Sequence, residues 1–216
     1  MSRTLFITGT DTGCGKTTVT VALARHLSAG GHDVACFKPV ASGCEPTDQG
    51  LRNDDALALM QAASVPLAYE QVNPIALAPP IAPHLAAGRA GIAIDPDALA
   101  RDIAAVPAAI RLVEGAGGWR VPLGDELMTV DLVRALGGEV VLVVGMRLGC
   151  INHALLSASA IQADGCRLLG WVANVFDAEM DGLNGNIEAI SARIGPPLAC
   201  YRLKRGWTGT AGLGRL

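Results

Sequence analysis

At 216 residues the chain has the length of one domain with a sizeable core. Half of its residues are apolar and only 17% are charged, which excludes a disordered chain. A net charge of −3 excludes the strongly basic footprint of a nucleic-acid binder. The first predicted element is a strand over Thr4–Thr8. It runs into the loop Gly9-Thr10-Asp11-Thr12-Gly13-Cys14-Gly15-Lys16-Thr17, and an apolar-periodic helix follows over Thr17–Ala29. A strand, a Gly-rich loop and a helix in that order make a phosphate-binding loop. Its N–H groups point inward, and the helix start adds partial positive charge. Lys16 then reaches the β- and γ-phosphates of a nucleotide, and the Thr17 hydroxyl ligates Mg²⁺. The spacing is irregular, because the first glycine sits at Gly9 and Thr10 holds its usual place. A dinucleotide fingerprint fits less well, since Thr18 occupies the position of its third glycine.

A second strand, Val34–Lys38, ends in Phe37-Lys38-Pro39-Val40. A lysine closing a buried apolar strand is either snorkelling or functional; beside a phosphate loop it can neutralise a transferring phosphoryl group. Ser42 and Gly43 follow in a short loop, where Ser42 is either a turn residue or a substrate contact. A helix is expected over Asp54–Ala63. Asp54 and Asp55 open it as capping acids or metal ligands, and spacing does not choose between them. The segment from Asn73 to His84 holds four prolines and reads as a surface loop. Helices over Pro96–Ala105, Val130–Leu136, Asn152–Ala163 and Asn186–Ile194 alternate with strands over Ile110–Glu114, Val140–Gly145 and Leu168–Val175. This alternation predicts an α/β fold, a mostly parallel sheet with helices on both faces, of the P-loop NTPase type. Ligands of such sheets bind at the carboxyl ends of the strands. Gly9–Lys16, Lys38–Gly43, Glu114–Gly118 and Asn174 should therefore line one crevice. Glu114 ends a buried strand before Gly115-Ala116-Gly117-Gly118, a position suited to a Mg²⁺ ligand. His84 and His153 have no metal-ligand partners and read as structural, while Trp119 fits either the crevice or the core.

The apolar run before the glycine loop is too short for a signal peptide, and the strongest run, Val140 to Met146, is far short of a membrane span. The six cysteines contain no Cys-x-x-Cys pair and fit free thiols in a reducing cytoplasm. The residues Lys204 to Leu216 contain four glycines, no acid and no apolar period, and read as a flexible tail on a single domain.

Several separated segments, in order, resemble one family, the ATP-dependent dethiobiotin synthetases of biotin biosynthesis. They are the glycine loop, Lys38-Pro39-Val40-Ala41-Ser42-Gly43, Leu51-Arg52-Asn53-x-Asp55-Ala56, Val72-Asn73-Pro74, Pro83-His84, Val113 through Trp119, Leu148 through Ala154, and Gly170-Trp171-Val172-Ala173-Asn174. The resemblance implies a MgATP-dependent ligase that joins 7,8-diaminononanoate and CO₂ into dethiobiotin, releasing ADP and phosphate. It implies Lys16 and Lys38 as catalytic cations and Thr17, Asp55 and Glu114 as the metal set. Nucleotide binding would fall to Gly13, Cys14, Gly15, Lys16, Thr17, Thr18, Asp55, Glu114, Ala116, Gly117 and Asn174. Ser42, Gly117 and Gly118 would touch the diamine. Gly149, Cys150 and Asn152 of a homodimeric partner would hold its carboxylate at a helix start.

The chain departs from this pattern twice. Gly13 stands where many members carry an acid. Leu198 through Leu203 replaces a strand that ends in Gly-x-apolar-Pro and helps hold the base. Two other readings of the fold fit less well. A partitioning or metal-delivery ATPase carries a signature lysine where this chain has Asp11, and a glutamine-dependent amidotransferase needs a further domain with a nucleophilic cysteine.

Overall fold

The first strand, β1 (Arg3–Gly9), alternates its side chains between two cores: Leu5 and Ile7 enter one, Phe6 the other. The structure, a computed structural model, describes residues 2–203 and 205–216. After β1 come α1 (Lys16–Ala29), β2 (Val34–Phe37), β3 (Val40–Ser42), β4 (Glu45–Thr47), β5 (Gly50–Arg52), α2 (Asp54–Ala62) and α3 (Tyr69–Val72). Then follow β6 (Ile75–Leu77), α4 (Pro83–Ala90), α5 (Pro96–Ala105), β7 (Ile110–Glu114), α6 (Thr129–Leu136), β8 (Glu139–Met146) and α7 (Cys150–Ala163). The chain closes with β9 (Leu168–Val175), α8 (Leu183–Ile194), β10 (Ala199–Arg202), β11 (Gly206–Thr208) and a 3₁₀ helix, Thr210–Arg215.

Seven strands form one sheet in the order β11-β10-β9-β8-β1-β7-β2, parallel throughout except for the antiparallel pair β10–β11. The central strands are buried on both faces, as the continuous apolar runs require. Val141 and Val143 of β8 meet α1 and α2 on one face; Val140, Leu142 and Val144 meet the face covered by α4 to α8. The predicted parallel sheet with helices on both faces is thus observed.

The segment from Asn73 to His84 differs from the expected loop. Ile75–Leu77 pairs with β3 in a small parallel sheet, and Pro83 opens α4. Proline suits the first helical position, where its missing N–H has no partner to lose. Helices α7 and α8 also begin earlier than expected, each capped by a left-handed glycine, Gly149 and Gly182.

The carboxyl-terminal residues, read as flexible, take a defined path, with Lys204 outside the described residues. Trp207 packs edge-on against Tyr201 and donates its Nε1–H to the Ala22 carbonyl of α1 at 3.3 Å. Arg3 donates to the Leu216 carbonyl at 2.6 Å and pairs with Glu139. Leu213 is buried in the α1 core. Gly212 makes this packing possible, since an added Cβ would stand 2.5 Å from the Leu198 Cα. Gly212→Ala is therefore expected to cost about 1–3 kcal/mol, as overpacking does. For a chain of this size that lowers Tm by roughly 2–12 °C in a calorimetric scan. An unchanged Tm would show that the tail packs too loosely to matter.

Candidate active site

The glycine loop joins β1 to α1 at the carboxyl edge of the sheet, and its irregular spacing has a packing reason. A Cβ on Gly9 would stand 2.2 Å from Cys14 Sγ and 3.0 Å from Lys16 Cγ, so the glycine is needed where the loop folds back. Gly15 caps α1 at φ +84°, and a Cβ there would meet Asn174 Nδ2 at 2.0 Å. Asn174, on β9, donates to the Cys14 carbonyl at 2.9 Å and so braces the loop from behind. Lys16 Nζ donates to the Asp11 carbonyl at 3.2 Å, curling back over the loop.

Lys38 follows β2 directly and is almost fully buried. Its ammonium donates to Glu114 Oε1 at 2.6 Å, to Asp55 Oδ2 at 3.2 Å and to the Gly115 carbonyl at 3.4 Å. Three acceptors match its three protons, which answers the snorkel reading: this lysine points into the site, not to solvent. Burial alone would pull the Lys38 pKa down, but the charges of Glu114 and Asp55 outweigh it and raise the pKa above 10.5. Burial likewise pushes Asp55 up, yet the charge of Lys38 outweighs it and holds its carboxyl below 3.8. For Lys16 burial is the largest influence and prevails, so its pKa lies below 10.5.

Glu114 closes β7 with no exposed surface. Its Oε1 also accepts from the Thr17 hydroxyl at 2.9 Å, while its buried Oε2 has no partner. Asn53 caps α2 by accepting from the Ala56 N–H at 3.2 Å, which leaves Asp54 exposed and turns Asp55 toward Lys38. The N-cap position thus belongs to Asn53, while Asp54 and Asp55 both lie in the first turn, where acids favour the helix dipole.

One cavity of about 940 Å³ runs along this edge. Gly13, Gly15, Lys16, Thr17, Thr18, Lys38, Ser42, Asp55, Ala116, Gly117 and Gly118 line it, with Pro80 to Pro83 opposite. Ser42 Oγ is buried there without a partner. Glu114 lies beneath the floor, held to Lys38 and Thr17, and Cys14 and Asn174 lie behind the loop. Gly149, Cys150 and Asn152 do not line the cavity; they open α7 nearby, where Arg147 pairs with Asp11 at 2.8 Å. Trp119 is buried in the core and donates to Asp164 at 2.8 Å. His84 stands at the start of α4, and His153 is exposed on α7.

A supporting network leaves no signal in the sequence. The Asn53 N–H donates to the Tyr69 hydroxyl at 2.7 Å, and that hydroxyl donates to Asn73 Oδ1 at 2.9 Å. Asn73 Nδ2 donates to the Lys38 carbonyl at 2.6 Å. This chain ties the start of α2, which carries Asp55, to the backbone that carries Lys38. The Val72-Asn73-Pro74 motif was visible, but its task is set by residues distant in sequence.

A family model described as an AAA domain matches residues 3–201. The ATP-dependent dethiobiotin synthetase BioD of Pseudomonas aeruginosa is 55% identical over 195 residues, which cover 89% of this chain and 86% of that relative. The protein of the same name from Cellvibrio japonicus is 51% identical over 197 residues, covering 90% and 86%. Among solved structures, the septum site-determining protein MinD of Pyrococcus horikoshii, complexed with Mg-ADP, superposes with a TM-score of 0.58 at 18% identity. The match covers 94% of this chain and 82% of that one, a likeness of fold.

Proposed function

The chain belongs to the ATP-dependent dethiobiotin synthetase family, and from that premise we propose that it joins 7,8-diaminononanoate and CO₂ into dethiobiotin at the expense of MgATP. The observation that carries this reading is the meeting of two buried lysines, Lys16 and Lys38, in one cavity beside Ser42 and the Gly117-Gly118 backbone. A nucleotide switch needs the loop lysine but gives a second, carboxylate-held ammonium nothing to do.

The reaction asks for charge control at two stages. One amine of the substrate attacks CO₂ and loses a proton, giving a carbamate. A carbamate oxygen then attacks the γ-phosphorus, and ADP departs. The second amine attacks the carbonyl carbon of the resulting mixed anhydride and gives up a proton to water, the bond to the phosphate oxygen breaks, and the five-membered ring closes. Negative charge builds first on the transferring phosphoryl group and then on the departing phosphate. Lys16 and Lys38 face both sites of charge, and both amines are held together in one cavity, which favours ring closure.

Mg²⁺ fits the donor set. Among the described residues no three His, Cys, Asp or Glu side chains form a metal site alone. Two carboxylates and a hydroxyl, with nucleotide phosphates completing the shell, are the arrangement magnesium favours. Asp55, Glu114 and Thr17 supply these donors, and the unpartnered Glu114 Oε2 supports a ligand there. When bound there, the ion would supply positive charge against the nucleotide phosphates. Gly13, Cys14, Gly15, Thr18 and Ala116 would form the nucleotide cradle, with Asn174 bracing it beneath the base.

A homodimer completes the site in this reading. Leu148, at 99% exposure, and Leu156, at 62%, stand out from the start and the outer face of α7. Covering them with a second copy would bring Gly149, Cys150 and Asn152, at the positive end of α7, to the partner's substrate carboxylate. Among the described residues no helix is long and apolar enough to cross a membrane. We place the reaction in the cytoplasm.

The test is direct. Purified protein supplied with ATP, Mg²⁺, bicarbonate and the diamine is expected to yield ADP and the cyclic urea product in equal amounts. ADP release that does not depend on the diamine would refute the ligase reading.

A further inference from the structure

The cavity has a direction. Glu114 and Lys38 stand at the ends of β7 and β2, on one side of β1. Strands β8 and β9 lie on its other side. A triphosphate threaded along the loop with its terminal group at Lys38 must point its nucleoside toward β9. Phe176, the residue after β9, lines the cavity at that end.

Phe176 is unusual among the aromatics of this chain. The other two phenylalanines, Phe6 and Phe37, are fully buried, whereas Phe176 is 46% exposed. A lone exposed apolar residue needs no explanation in itself. This one, however, is the only aromatic lining the cavity among the described residues. Its ring also rests in a seat made of glycines. A Cβ on Gly145 would approach its Cε2 to 2.9 Å, and one on Gly15 its Cε1 to 3.4 Å. The tip of the ring thus rests against the loop and the end of β8, while part of its surface stays exposed at the cavity. Asn174, two residues earlier on β9, has given its amide N–H to the Cys14 carbonyl.

The geometry points to Phe176 as the residue that stacks on the nucleobase and supplies much of the affinity for the nucleoside half of the nucleotide. The inference rests on the nucleotide reading given above. Base–aromatic stacking tolerates any purine face and loses about 5- to 150-fold in affinity when the ring is removed. Phosphate capture, left to the loop and Lys16, should not feel the change.

Calorimetric titration of the full-length chain with ADP and with inorganic tripolyphosphate, both with Mg²⁺, separates the two contributions. Phe176→Ala is expected to weaken ADP about 5- to 150-fold and to leave tripolyphosphate within about twofold. Phe176→Tyr is expected to restore ADP binding, which separates stacking from a general loosening of the loop. Unchanged ADP affinity in Phe176→Ala, or equal losses for ADP and tripolyphosphate, would overturn the stacking role and leave the nucleotide site standing. A wild-type chain that binds neither ADP nor ATP would remove the site and the inference together.

Discussion

Lys38→Ala is expected to lower dethiobiotin formation about a thousandfold, as loss of a buried group that stabilises transition-state charge does, while ADP still binds within about tenfold. The separation follows from geometry. In the proposed site nucleotide phosphates would meet the loop N–H groups and Lys16, whereas Lys38 follows β2 and lines the cavity on the other side of β1. Its two carboxylate partners favour the charged ammonium, and the role assigned to it is electrostatic. The substitution also removes the salt bridge of the buried Glu114, and breaking a buried pair costs about 3–5 kcal/mol. Lys38→Met fills the volume and offers the cleaner comparison. Both variants need a thermal scan beside the assay, so that lost turnover is not mistaken for lost fold. Turnover near the wild-type level in a folded Lys38→Met protein would remove the assigned role.

What could be read in the sequence divides along physical lines. The glycine loop, Lys38 and Glu114 were legible because each sits at the end of an apolar strand, and the carboxyl ends of parallel strands converge. Asn53 was hidden as a cap because two acids followed it and either could have served. Tyr69 was hidden because its partners, Asn53 and Asn73, are joined only by the tertiary fold. Phe176 carries no periodic signal, so its meaning depends on the glycines beneath it. The carboxyl-terminal residues lacked any pattern of period 2 or 3.6. Their order comes from single close contacts, Gly212 on Leu198 and Trp207 on α1, which composition does not reveal. The family model ends at residue 201, just before this segment. The segment that departs from the expected base-holding strand, Leu198 through Leu203, carries β10, which pairs with β9, and Phe176 follows β9 directly.

Glu114→Gln should have the next largest effect, a loss of about a hundred- to a thousandfold in turnover, and it should lower the pH at which Lys38 titrates as well. Glu114 Oε1 holds Lys38 and Thr17 at once, and its Oε2 is the buried oxygen left free for a metal. The amide keeps the size but removes the charge, so more Mg²⁺ should be needed to reach half-maximal rate. The sign of the pH effect follows from the forces on Lys38. Burial lowers its pKa, and Glu114 is the larger of the two carboxylate influences that reverse this. With Glu114 neutral, only the half-exposed Asp55 opposes burial, and the ammonium gives up its proton at lower pH than in the wild type. The Lys38 ammonium of Glu114→Gln should therefore titrate at lower pH than that of the wild type in the metal-free proteins, and NMR titration profiles of the two would show it. A variant whose profile coincides with that of the wild type, with an unchanged Mg²⁺ titration, would mean that Glu114 neither sets the charge of Lys38 nor holds the metal. The two lysines would then act without the anionic floor on which the proposed chemistry depends.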